Sequence, residues 1–170
     1  SHFGAGAALD AYYAAFRLPD TLYNLLIVGA LTAGFIPVFT ECREQDGERS
    51  ASVFAGRVLS LVAGVMALVA LLLILGADCI VPATVKGFSP VQLQETIGLT
   101  KIIALSPLLL GLSAVMGGVL QATKRFLAFA IAPLFYNLGI IFGVLFLAPS
   151  FGIRGVAVGV VLGAALHVLV

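Results

Sequence analysis

The charged residues of this chain fall in clusters, and between the clusters run uncharged stretches of twenty residues or more. Asp20 and Glu41 enclose Thr21 to Thr40, and Arg57 and Asp78 enclose Val58 to Ala77. Lys101 and Lys124 enclose Ile102 to Thr123, and Arg125 and Arg154 enclose Phe126 to Ile153. A bilayer core of ~30 Å is crossed by about 20 apolar residues of helix. Each stretch is therefore long enough for one span, the last with a turn around Pro149 and Ser150 to spare. Composition points the same way: 61% of the 170 residues are apolar, 10% are charged and the mean hydropathy is +1.16. Soluble domains run to ~45–50% apolar and ~25% charged, so a soluble enzyme or binding module is excluded. A net charge of +1 carries no nucleic-acid footprint. Two Cys, two His and no Trp argue against a disulfide framework or a Cys/His metal site.

Gly155 to Val170 is a fifth apolar segment, sixteen residues long, and Phe3 to Phe16 is apolar apart from Asp10. The predicted fold is an all-α polytopic membrane protein with helices over about 8–41, 50–77, 91–122, 126–148 and 152–170. The chain has no initiator Met, no basic region of the kind that opens a signal peptide, and no polar tail after Val170. It reads as a single-lobe fragment, with at least one helix expected upstream and more chain downstream. Loop charge sets the expected orientation. Arg43, Arg49 and Arg57 in 41–57, with Lys124 and Arg125 in 121–126, put five basic residues on one face. Lys86, Lys101 and Arg154 lie on the other, so the positive-inside rule places the 41–57 and 121–126 loops in the cytoplasm.

Gly155, Gly159 and Gly163 recur every four residues, as Gly139 and Gly143 do in the preceding span. Small residues at this spacing let helix backbones approach closely in lipid, where packing drives association. Their expected role is packing within one bundle rather than homodimerisation. Pro37, Pro107 and Pro133 each fall inside an apolar stretch, and Pro19 precedes the first. Proline removes a backbone donor and kinks a helix, so these four are candidate hinges or bends. Kinks suit a protein that changes shape, and static membrane proteins have them too.

The stretch from Phe3 to Glu41 is the most informative. In one long helix bent near Pro19, Asp10, Arg17 and Asn24 are spaced seven and seven and so share a face, with Tyr13 a turn before Arg17. Ionisable groups in membrane helices are costly and usually face a water-filled cavity or one another. One reading is a polar stripe lining a transport cavity, with Arg17 able to hold an anionic group such as phosphate. The other is that Asp10 and Arg17 lie near the interface and Arg17 snorkels.

Other candidates carry less. His167 stands alone on an apolar helix and is expected to be packed or interfacial rather than a ligand. Cys42 and Cys79 are expected at opposite ends of adjacent helices, too far apart to bridge. Asn137, beside Tyr136, reads as an interhelical hydrogen bond or a cavity group. There is no Walker loop, G-x-S-x-G or metal-spaced cluster, so no catalytic residue, metal or cofactor is expected.

Several of these runs resemble the MurJ/MviN family of the multidrug/oligosaccharidyl-lipid/polysaccharide exporter superfamily. The likeness rests on Phe3 to Gly6, on Asp10 to Pro19 (D-A-Y-Y-A-A-F-R-L-P) and on Gly29 to Glu41. Gly87-Phe88, Lys124-Arg125-Phe126, Ala132-Pro133 and Asn137 extend it over essentially the whole chain. The resemblance implies a fourteen-helix, two-lobe exporter around a central cationic cavity, with this chain supplying helices two to six of the N-terminal lobe. It implies a flippase of the bacterial cytoplasmic (inner) membrane, a transporter and not an enzyme. Its substrate would be lipid II, the undecaprenyl-pyrophosphate-linked peptidoglycan precursor, translocated by alternating access for cell-wall synthesis. Partners would be that precursor and membrane lipids, with no nucleic acid and the coupling ion open. Asp10, Arg17 and the Pro19 bend match the family's cavity positions. The chain departs from the family at Tyr23, where well-studied members carry a cavity arginine, with Asn24 beside it, and at Val28, where they carry an acid. Tyr23 and Asn24 thus join Asp10 and Arg17 as candidate substrate-binding residues. Two alternatives stay open: a related multidrug or polysaccharide-unit exporter, and a non-transporting membrane scaffold.

Overall fold

The computed structural model describes residues 6–28 and 34–170, and among these the regular elements are all helical. Helix α1 (Ala7–Tyr23) starts after an extended Gly6, runs through Pro19 and passes into a π-helical turn, Asn24–Val28. The irregular turn thus lies five residues beyond the proline where a bend was expected. Thr21 Oγ1 donates to the Arg17 carbonyl at 2.6 Å and Asn24 Nδ2 to the Asp20 carbonyl at 2.9 Å. These bonds give polar side chains a partner on their own helix. Phe3, Gly4, Ala5 and the run 29–33 of the quoted motifs lie outside the described residues.

Helix α2 (Ile36–Thr84) is helical throughout its 49 residues except at Gly47, where φ is 86° and ψ 173°. The rings of Phe35 and Phe54 stack at 5.8 Å between centroids. Nineteen residues of straight helix would separate them by about 28 Å, so the chain folds back at Gly47 into two arms, 36–46 and 48–84. The expected loop over 41–57 is therefore helical on both sides of a one-residue break. Its polar residues bond locally: Gln45 Nε2 to Glu41 Oε1 at 3.0 Å, Ser52 Oγ to the Glu48 carbonyl at 2.8 Å, and Arg43 to Glu48 at 3.0 Å across the turn. Glycine alone adopts the Gly47 dihedrals without strain, and nothing lies within 4 Å of a Cβ built there. Gly47→Ala should therefore act through backbone strain alone. It should cost about 1–3 kcal/mol, read as a lowered unfolding midpoint of the full-length protein; an unchanged midpoint would contradict the hairpin.

The second arm passes Pro82 and ends at Val85, and the chain turns at Gly87 (φ 82°). Ser89 then opens α3 (Pro90–Ile103) with a reciprocal cap. Its hydroxyl accepts from the Gln92 N–H at 3.3 Å, and the Gln92 side-chain Oε1 accepts from the Ser89 N–H at 3.0 Å. The single helix expected over 91–122 is broken at Ala104 and Leu105, because Pro107 stands in the first turn of α4 (Ser106–Ala122) and cannot continue the hydrogen-bond ladder. A turn with Lys124 at φ 59° leads to α5 (Phe126–Phe142), which carries Pro133 in its interior. A π-helical turn (Gly143–Leu147), the short α6 (Ala148–Phe151) and Gly152 then lead to α7 (Ile153–Leu169). Pro37, expected within a span, lies in the first turn of α2, where a missing N–H costs little. Three described stretches are long and apolar enough to cross a membrane: Ile36–Thr84, Pro90–Ala122 and Phe126–Phe151. Ile153–Leu169 is a shorter apolar helix.

Small residues set how α1 seats. Ala11 and Ala15 pack into a cluster with Leu99 and Ile103 of α3 and Val156 and Ala157 of α7. Ala14 joins Ala77, Val81 and Val85 from the end of α2 and Ile97 of α3. With this alanine face buried, the polar residues of α1 are left on the opposite side.

Candidate functional site

Asp10, Tyr13 and Arg17 emerge from that exposed side of α1 into a cavity of about 390 Å³ whose far wall is the end of α2 and the following turn. Ala14 of α1, with Thr84, Val85, Lys86 and Phe88, completes the lining. The seven-residue spacing thus brings Asp10 and Arg17 together, and the Gly87 turn adds a second cation, Lys86. Lys86 was missed from the sequence, where it read only as loop charge. The ion pairs among the described residues are Arg43–Glu48 and Lys101–Asp78, so Arg17 and Lys86 face this cavity without a carboxylate within 4.0 Å. Tyr13 is 62% exposed and presents its phenol there. Two cations, one carboxylate and a phenol around one space can hold an oxyanion: the guanidinium fork matches phosphate geometry and the ammonium supplies a point charge.

Tyr23 and Asn24 do not join them. Asn24 is exposed, and its Nδ2 donates to the Asp20 carbonyl of its own helix. Tyr23 lines a different cavity, of about 400 Å³, between α4, α5 and α7, with Ser113, Phe129 and His167. His167, expected to be packed or interfacial, is half-buried and hydrogen-bonded to Ser113 of α4. The Asn137 amide donates to the Pro133 carbonyl of its own helix at 3.0 Å. Cys42 and Cys79 are both free thiols.

The glycines of α5 and α7 interlock. A Cβ at Gly159 would sit 2.7 Å from the Gly143 Cα, and one at Gly143 would sit 2.6 Å from the Gly159 Cα. At Gly155 it would meet the Leu147 carbonyl carbon at 2.5 Å, and Gly163 abuts both Gly139 and the Tyr136 carbonyl. Backbone therefore lies on backbone along this seam, as small-residue repeats in lipid allow. Pro133 lies inside α5, and Pro107 stands at the α3–α4 break.

An all-helical bundle of apolar, membrane-length elements, sealed by glycine contacts and bearing a mixed-charge cavity on its flank, defines a multi-pass membrane protein. Comparison with known families narrows this class: the family described as Lipid II flippase MurJ matches residues 1–170. The chain belongs to that family. A lipid II flippase MurJ of Burkholderia cenocepacia is 28% identical over 172 residues, covering 99% of this chain and 33% of the relative. A probable lipid II flippase MurJ of Rhizobium meliloti is 33% identical over 159 residues, covering 92% of this chain and 30% of the relative. One of Treponema pallidum is 29% identical, covering 98% and 32%. The chain thus spans about a third of the length of these curated relatives.

Proposed function

We propose that this chain forms part of the N-terminal lobe of a flippase in the bacterial cytoplasmic membrane, a transporter that moves an undecaprenyl-pyrophosphate-linked peptidoglycan precursor between leaflets by alternating access. The observation that carries the reading is the cavity of Asp10, Arg17 and Lys86, set in a chain that matches a flippase family over its whole length. Moving a charged, sugar-bearing headgroup while its isoprenoid tail stays in lipid requires a polar recess on the flank of the helices, open to the side. Arg17 would attract the pyrophosphate, and Asp10 would orient Arg17 or respond to cations. With the Gly47 and Lys124 turns on the cytoplasmic side, as the loop charges require, this cavity lies toward the outer end of the lobe. Pro107, at a real helix break, is the proline best placed to flex.

A drug-antiporter reading calls for acidic or aromatic cation sites, and here Asp10 shares its cavity with two cations. Gene replacement separates the readings. The full-length gene should sustain growth when the resident precursor flippase of a bacterium is depleted. Failure despite normal membrane accumulation would count against the proposal, and a drug-sensitive deletion with normal cell-wall synthesis would favour the antiporter.

A further inference from the structure

A second polar site lies apart from the Asp10–Arg17 cavity. Ser113 of α4 and His167 of α7, 54 positions apart, meet across the bundle: Ser113 Oγ lies 2.6 Å from His167 Nδ1 and 3.1 Å from the His167 carbonyl oxygen. A serine hydroxyl has one proton to give, and a carbonyl can only accept. The hydroxyl proton therefore goes to the carbonyl, and Nδ1–H donates the shorter bond to Oγ. Both contacts are then satisfied with the neutral ring in its Nδ1–H tautomer, which leaves the lone pair on Nε2. Nε2 has no hydrogen-bond partner among the described residues, where no fully buried side-chain nitrogen or oxygen lacks one. Nε2 is therefore not sealed in, and His167 lines the cavity between α4, α5 and α7.

The surroundings decide what that lone pair can do. The cavity wall is mostly apolar and includes Leu110, Val119, Phe129, Ala132 and Val170. Tyr23 faces it from the end of α1, and Tyr136 of α5 sets its ring edge-on to the imidazole at 6.3 Å between centroids. Among the described residues, Ser113 of α4 and these two phenols face His167, and the Asp20 carboxylate of α1 lies beyond Tyr136, close enough to act on its phenol. No carboxylate and no other cation lines the cavity among the described residues.

We propose that His167 is a proton-binding site of the lobe, in which Ser113 fixes the tautomer and Nε2 takes up the proton. A hydronium ion entering with water gives its proton to the Nε2 lone pair, leaving water and an imidazolium. Nδ1–H is already a donor in the neutral ring, so both bonds to Ser113 survive the change. The imidazolium adds one positive charge to an apolar wall whose described lining residues include no acid. The charged form therefore favours arrangements of the lobe in which the cavity is wetted or meets an anion. The site stands independently of the flippase reading, since ionisation of one ring is measured without transport.

Nitrogen-15 NMR of histidine-labelled, full-length protein in lipid nanodiscs tests this, with the His167 resonances assigned from the His167→Asn variant. At high pH, Nδ1 should read as protonated and Nε2 as bare; acidification should protonate Nε2 in a single step before the protein unfolds. A ring that carries its proton on Nε2 at high pH, or one that stays neutral until the protein unfolds, would overturn the proposal. His167→Asn keeps a donor nitrogen for Ser113 but has no basic one, so the unfolding midpoint should hold at neutral pH while its dependence on acidification flattens. Ser113→Ala should retain the titration and lose the tautomer preference. A His167→Asn variant with the wild-type pH dependence would also overturn the proposal. If either variant fails to fold, the ring protonation followed in the wild-type protein decides.

Discussion

Leucine at Gly159 or Gly163 is expected to prevent the full-length protein from accumulating in membranes, whatever its substrate. Even a methyl group at Gly159 would sit 2.7 Å from the Gly143 Cα, and the obstructing atoms are backbone and not a side chain that can swing away. Relief requires α5 and α7 to separate. Overpacking a well-packed seam costs about 1–3 kcal/mol and sometimes more; a leucine against backbone belongs at the upper end, a large share of a marginal stability. Gly64→Leu is the control, since nothing lies within 4 Å of a Cβ there and the position is exposed. Membrane accumulation and detergent melting of the three variants check the expectation. Normal accumulation and melting with transport alone abolished would show that the glycines serve the substrate and not the seam.

Arg17→Gln is expected to do the reverse, leaving accumulation and melting unchanged while transport falls at least about tenfold, the equivalent of losing one charge-assisted hydrogen bond of about 1.5–3 kcal/mol. Arg17 is exposed and without a carboxylate within 4.0 Å among the described residues, so the fold does not depend on its charge. Asp10→Asn should also spare stability and should reduce transport by changing how Arg17 is presented. Arg17→Lys should keep part of the function, because a point charge still attracts phosphate but cannot engage it with two parallel bonds. If Arg17→Gln and Asp10→Asn both sustain growth as well as the wild-type gene, a membrane scaffold becomes the better account.

The spans were legible because lipid imposes a length and a lack of charge that few other environments demand; Val58 to Ala77 is sufficient to show it. The ends of the helices were less so. Charges around 41–57 suggested a loop, yet helix persists wherever local pairs such as Gln45–Glu41 satisfy it, and the reversal is confined to Gly47. Asp10 and Arg17 were readable as a pair because both sit on one helix and a seven-residue spacing fixes their face. Lys86 was not, because its place in that cavity depends on how far α2 extends and on where the Gly87 turn sends the chain. Ser113 and His167 lie on helices separated by α5, a π-helical turn and α6, so neither periodicity nor spacing could join them. Asn24 bonds within its own helix, its amide donating to the Asp20 carbonyl four residues back, a contact that spacing alone does not announce.

Reconstitution tests the central claim most directly. Full-length protein in lipid vesicles, with a labelled undecaprenyl-pyrophosphate-linked disaccharide-peptide in one leaflet, would be probed with a membrane-impermeant reagent that reads the leaflet occupied. The account predicts that wild-type protein equilibrates the lipid faster than protein-free vesicles, and that Arg17→Gln slows this at least about tenfold with the protein still folded. A folded wild-type protein that leaves the lipid in its original leaflet, or an Arg17→Gln variant as fast as wild type, would contradict it.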